Sequence, residues 1–240
     1  MSAGDRRPLD NTPTTQLIRR SHNNRLGAAY SSLRGFWEAR HRAVAVNGGN
    51  ARRDAYSVIL FDHSVTTVVT HDFNSSPTEL LNAVLRYRTD GGTNFTLAIE
   101  TARACMERHW STERVPVVIF LSDGECGIAD ETMQDLCRRS IALGKPLSFH
   151  AVSFGPNSGI MQRMAQIARD VESGAPQDPL NPHAGVPSSY NQALDTVRLA
   201  ETFLGIAESL TKPRVLCSVD ERSTQQRTVC ISTAIWPHVA

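Results

Sequence analysis

A three-layer α/β sandwich is the fold class this sequence predicts, with helices on both faces of a mostly parallel sheet and one antiparallel hairpin at its edge. Three observations predict it. Short apolar runs at 56–61, 115–121 and 147–154 have strand length. They alternate with longer segments of helical periodicity, the order expected of strands crossed over by helices. The run Val115 to Leu121 also leads into Ser122-Asp123-Gly124-Glu125, a carboxylate on a Gly-containing turn, at the strand end where such sheets place ligand groups.

The elements follow in order. Residues 1–22 are polar, with Pro8, Pro13 and many Thr and Arg, and read as a loop or disordered arm. A helix is expected over 24–45, where Leu26, Tyr30, Leu33 and Trp37 recur at helical spacing, and the Asn-Gly-Gly-Asn run at 47–50 stops it. Tyr56 to Phe61 reads as a buried strand. Asp62-His63-Ser64 turns it into the Val- and Thr-rich run 65–70, making the hairpin. Pro77 opens a helix to about 87, with Leu80, Leu81, Val84 and Leu85 inward. A helix at 94–110 places Phe95, Ile99, Ala102 and Met106 on one face. After strand 115–121 comes a helix at 130–143, ended by Gly144 and Pro146, and then strand 147–154. A helix at 158–171 turns Ile160, Met164 and Ile167 inward, and 172–188 is a Pro-rich loop holding at most a short edge strand. The last helix covers 190–210, with Leu194, Val197, Phe203, Leu204 and Ala207 as its apolar positions. Val215-Leu216-Cys217 with Val219 gives 214–219 strand character.

This divides the 240 residues into a polar arm at 1–22, a domain at 23–211 and a tail at 212–240. A hydrophobic content of 40% supports a core, and a net charge of +1 favours neither nucleic acid nor an acidic surface as partner. The five cysteines form no Cys-x-x-Cys, and Cys105 and Cys137 fall on apolar helix phases as buried thiols, which suits a reducing, cytoplasmic setting. The first thirty residues hold no apolar leader, and no apolar run is long enough to cross a bilayer. Walker, nucleophile-elbow, His-Glu-x-x-His and dinucleotide fingerprints are absent.

A second motif, Asp90-Gly91-Gly92-Thr93-Asn94-Phe95, lies where a loop enters a helix. A threonine after two glycines, with an aspartate at a strand tip, offers the oxygen ligands that Mg²⁺ prefers. The competing reading has Thr93 capping the helix and Asp123 closing a turn. Taken together and in this order, the two motifs resemble the von Willebrand factor A domain over roughly residues 20–211. In that family the metal site has three parts: an Asp-x-Ser-x-Ser loop after the first strand, a threonine in a Gly-Gly-Thr turn, and an aspartate after the fourth strand. Thr93 matches the second part and Asp123 the third. The first is missing, as if the chain began just after that loop.

The resemblance implies a Rossmann-like sandwich and a protein–protein interaction module, not an enzyme. Ancestrally it would capture an acidic side chain of a partner through Mg²⁺ or Mn²⁺, here weakly or not at all because the site is incomplete. Metal ligands would be Thr93 and Asp123, and partner-binding positions Gly92, Asn94 and Glu125. Neither nucleic acid nor membrane is implied. Two alternatives remain: a metal-dependent hydrolase built on Asp123, Glu125 and His63, and a non-binding truncated product. The resemblance also places the missing strand centrally, between 56–61 and 115–121. An empty slot would leave unpaired strands and drive self-association. If the slot is filled, the expected occupant is Arg214 to Val219, which would bring Asp220 to the site and Arg222 where a ligand serine belongs.

Overall fold

The computed structural model describes residues 7–8, 11–46, 53–88, 91–112, 114–175, 186–211 and 226–234. The elements are α1 (Pro13–Ser21), α2 (Arg25–Val46), β1 (Ala55–Phe61), β2 (Val65–Asp72), α3 (Pro77–Val84), α4 (Phe95–Arg108) and β3 (Arg114–Ser122). They continue as α5 (Asp130–Ala142), β4 (Ser148–Phe154), α6 (Gly159–Ser173), β5 (Ser189–Ala193), α7 (Thr196–Ser209) and β6 (Gln226–Ala234). The sheet order is β2-β1-β6-β3-β4-β5. Among the described strands only the β1–β2 hairpin is antiparallel, and the pairs β1–β6, β6–β3, β3–β4 and β4–β5 are parallel. This is the α/β sandwich that the alternation of elements predicts, with the Rossmann-like character that the resemblance implies.

β3 is apolar from Val115 to Leu121 because it faces a hydrophobic layer on both sides. Along β3, Val117, Ile119 and Leu121 enter the core shared with α2, α3 and α7. Val118 and Phe120, in alternation, enter the opposite core with α4, α5 and α6. β4 divides likewise, Val152 and Phe154 to the first core and Phe149 and Ala151 to the second. Phe120 is the hub of the second layer, with ring centroids of Phe95, Phe61 and Phe149 at 4.9, 5.1 and 6.1 Å. Tyr30, Phe36 and Trp37 are fully buried core aromatics of α2.

Three expectations are corrected. The central slot is filled, but its described occupant is β6, whereas 214–219 lies outside the described residues. Thr228, Val229, Ile231 and Thr233 make β6 a β-branched run. Its register pairs Val58 with Ile231 on one side and Ile119 with Ile231 on the other. Consequently β1 and β3 are both paired, so the unpaired strands from which self-association was expected are absent. Second, 13–21 is a helix: Thr12 caps it, its side chain accepting from Thr15 N, Pro13 occupies its first turn, and Ile18 is buried against the core. Third, 189–193 is an edge strand and α7 begins at Thr196, capped by Asp195. Its helical phase therefore buries Leu199, Phe203 and Ala207 and leaves Val197 and Leu204 partly exposed, with Leu194 outside the helix. The stop expected at 47–50 lies outside the described residues.

Candidate functional site

The parallel strands set the site. β1, β6, β3 and β4 all run in one direction, so the turns leaving their carboxyl ends share one edge with the amino ends of the helices that lead into them. Asp123 leaves β3 on a turn closed by Ser122, whose Oγ accepts from Gly124 N at 3.2 Å. Thr93 precedes α4, Arg25 opens α2, and Asp62–Ser64 connects β1 to β2 on the same edge.

The Gly91-Gly92 turn is locked to that connection. Both glycines adopt positive φ, 83° and 78°. His63 N and Nδ1 lie 3.3 and 3.0 Å from Gly91 O. A Cβ on Gly92 would lie 2.8 Å from His63 Cβ, so a residue without one is required there. The cap of α4 is Asn94, whose Oδ1 accepts from Leu97 N at 2.9 Å. That overturns the reading of Thr93 as the cap. Thr93 Oγ1 is instead buried without a hydrogen-bond partner among the described residues.

Asp123 is held by a residue that sequence reasoning passed over. Arg25 Nη1 donates to its Oδ2 at 2.8 Å, with side chains 9% and 0% exposed. A carboxylate so deeply withdrawn from water needs a cation beside it. Arginine at the first position of a 22-residue helix opposes the helix dipole, which is positive at that end. Its presence there is explained by the buried carboxylate it meets. Arg222, expected to bring a charge to this place, lies outside the described residues, as does Asp220.

Two structural observations bear on a divalent ion. The orphaned Thr93 hydroxyl suits one. The carboxylate does not, because its charge is already matched by Arg25. Like unit charges 4 Å apart repel by about 4 kcal/mol at an effective dielectric of 20, and a doubly charged ion by roughly twice that. Among the described residues no group of three or more His, Cys, Asp or Glu side chains gathers as a metal would need. The donor set with Arg25 in place does not fit Mg²⁺ or Mn²⁺.

The hydrolase constellation is not assembled either. His63 addresses Gly91 O and Asp62, at 3.0 and 3.4 Å, and Asp123 faces Arg25. Glu125 is exposed to solvent. Asp62 Oδ1 closes its own turn, accepting from Ser64 N at 2.7 Å and from Ser64 Oγ at 2.9 Å. The edge also carries exposed apolar side chains: Leu97 in the first turn of α4, Leu194 after β5 and Val197 in the first turn of α7, 38%, 60% and 49% exposed.

Residues 15–125 match the model of the von Willebrand factor type A domain. A solved structure of a von Willebrand factor type A protein from Catenulispora acidiphila is similar at 14% identity and a TM-score of 0.47, over 76% of this chain and 38% of that one. The chain thus spans well under half of that protein's length. A second, an uncharacterized membrane-spanning protein from Vibrio fischeri, is similar at 13% identity and a TM-score of 0.29, over 87% of this chain and 94% of that one. No curated protein matches the chain. Among the described residues, no helix is long and apolar enough to cross a membrane. Domains of this type are generally protein-interaction modules without catalytic activity.

Proposed function

We propose that this chain is an intracellular protein-interaction module, not an enzyme, and that it docks partners on the carboxyl edge of its sheet. The face comprises Gly92, Thr93, Asn94, Asp123 and Glu125, widened by Leu97, Leu194 and Val197. The carrying observation is the buried Thr93 hydroxyl, which spends its hydrogen bond on nothing within the described chain although it sits at the edge. A buried hydroxyl left without a partner is costly, so such groups are retained where something outside the fold completes them. The exposed Leu97, Leu194 and Val197 suit a contact that buries apolar surface around that polar centre. The partner presents an acidic residue, and Mg²⁺ or Mn²⁺ contributes weakly or not at all. The free thiols of Cys126 and Cys137 support a reducing compartment. Burial pushes the Cys137 thiol up to about 12, which makes it inert.

Proximity labelling in the native cell tests this. A partner recovered with the wild type is expected to be lost with Leu194→Asp and with Thr93→Val, and kept with Val46→Asp, an exposed position at the other end of α2. Amide replacement of the partner's acidic residue abolishes the contact in the same assay. A partner indifferent to both edge variants would refute the docking face.

A further inference from the structure

We propose that the Arg25 guanidinium is the resident cation of this site, standing on Asp123 where the family fold would otherwise place a divalent metal. The proposal rests on reading the carboxyl edge as the binding face, and it names what holds the charge there. Four observations meet at this point. The Asp123 side chain is fully buried and needs compensation. Arg25 supplies it at 2.8 Å, from a helix end that disfavours a positive charge. Thr93, the matching hydroxyl of the metal motif, makes no bond to any described residue. No cluster of ligating side chains is gathered elsewhere among the described residues. Arginine cannot lose its proton in a protein, so this cation, unlike a bound ion, is not lost to a chelator or to dilution. The guanidinium and a divalent ion are mutually exclusive on Asp123, so the charge of Arg25 decides whether the site responds to metal.

Thermal melting of the full chain in EDTA and in millimolar MgCl₂ or MnCl₂ tests this without a partner. The wild type is expected to melt at one temperature in both. Arg25→Gln takes the guanidinium charge away from the buried carboxylate. It should melt lower in EDTA and recover by about 3 °C or more in metal. The double variant Arg25→Gln/Asp123→Asn removes both charges and should melt above the single variant in EDTA and ignore metal. Wild type that gains stability from metal, and loses the gain in Thr93→Val, overturns the proposal. So does Arg25→Gln that is indifferent to metal, whether folded or unfolded. Because melting involves no partner, either outcome leaves the docking face to be decided by labelling.

Discussion

Arg40 should be the most costly surface-remote charge to delete. It lies on α2, 6% exposed, and its Nε donates to Asp54 Oδ2 at 2.7 Å, just ahead of β1. Its Nη1 reaches Thr211 Oγ1 at 2.8 Å and Ala207 O at 3.2 Å, beyond and within α7. Three elements of the first core are tied by one guanidinium. In Arg40→Met the helix carbonyl keeps a donor, because Thr211 Oγ1 bonds Ala207 O at 2.9 Å. The stranded group is Asp54, 4% exposed, left with Tyr56 Oη at 3.4 Å. An uncompensated buried carboxylate costs about 3–5 kcal/mol, a large share of a total stability of roughly 5–15 kcal/mol. At about 2–4 °C per kcal/mol for a chain of this size, the melting temperature should fall by roughly 6–20 °C. Urea unfolding followed by circular dichroism, with the slope checked for constancy, measures the loss. Arg40→Met/Asp54→Leu should regain most of it, since an apolar pair of similar volume strands no charge. A loss below about 1 kcal/mol in the single variant, or a double variant no better than the single, would refute the reasoning.

Two further outcomes are expected. Gly91→Ala meets open space and should cost about 1–2 kcal/mol for its left-handed backbone alone, whereas Gly92→Ala must also displace His63 and should cost more. Equal losses in a chemical denaturation comparison would contradict the close packing of the two turns. The second concerns pH. Burial, then His109 and Arg114, hold the His71 pKa below its ordinary value, and its ring stacks on His109 at 4.7 Å. The fold therefore favours neutral His71. That stability is fully present above the unfolded pKa of about 6.5 and is lost as pH falls through it toward the folded value. Melting temperature should decline between neutral and mildly acid pH, and His71→Gln should flatten the decline. An unchanged slope would assign it to other groups.

Much of this protein was legible in its sequence. Strand length, helical period and the Gly-Pro stops located most elements, because those signals are local: side-chain direction alternates along a strand and repeats along a helix whatever the neighbours. The Gly-Gly-Thr and Ser-Asp-Gly turns were equally visible, since positive φ and strand-end carboxylates leave residue types behind. The tertiary structure alone decided which segment fills the centre of the sheet. Arg214 to Val219 and Gln226–Ala234 both have strand composition, and pairing on two sides with β1 and β3 cannot be read from either segment alone. It also decided the fate of the site. Thr93 and Asp123 were expected from their turns, but Arg25 lies 98 residues from Asp123 along the chain and carries no motif. Its helix-opening position, unfavourable for a positive charge, was the one available signal. It acquires meaning only once α2 and β3 bring their ends to the same edge, where a buried carboxylate requires a cation.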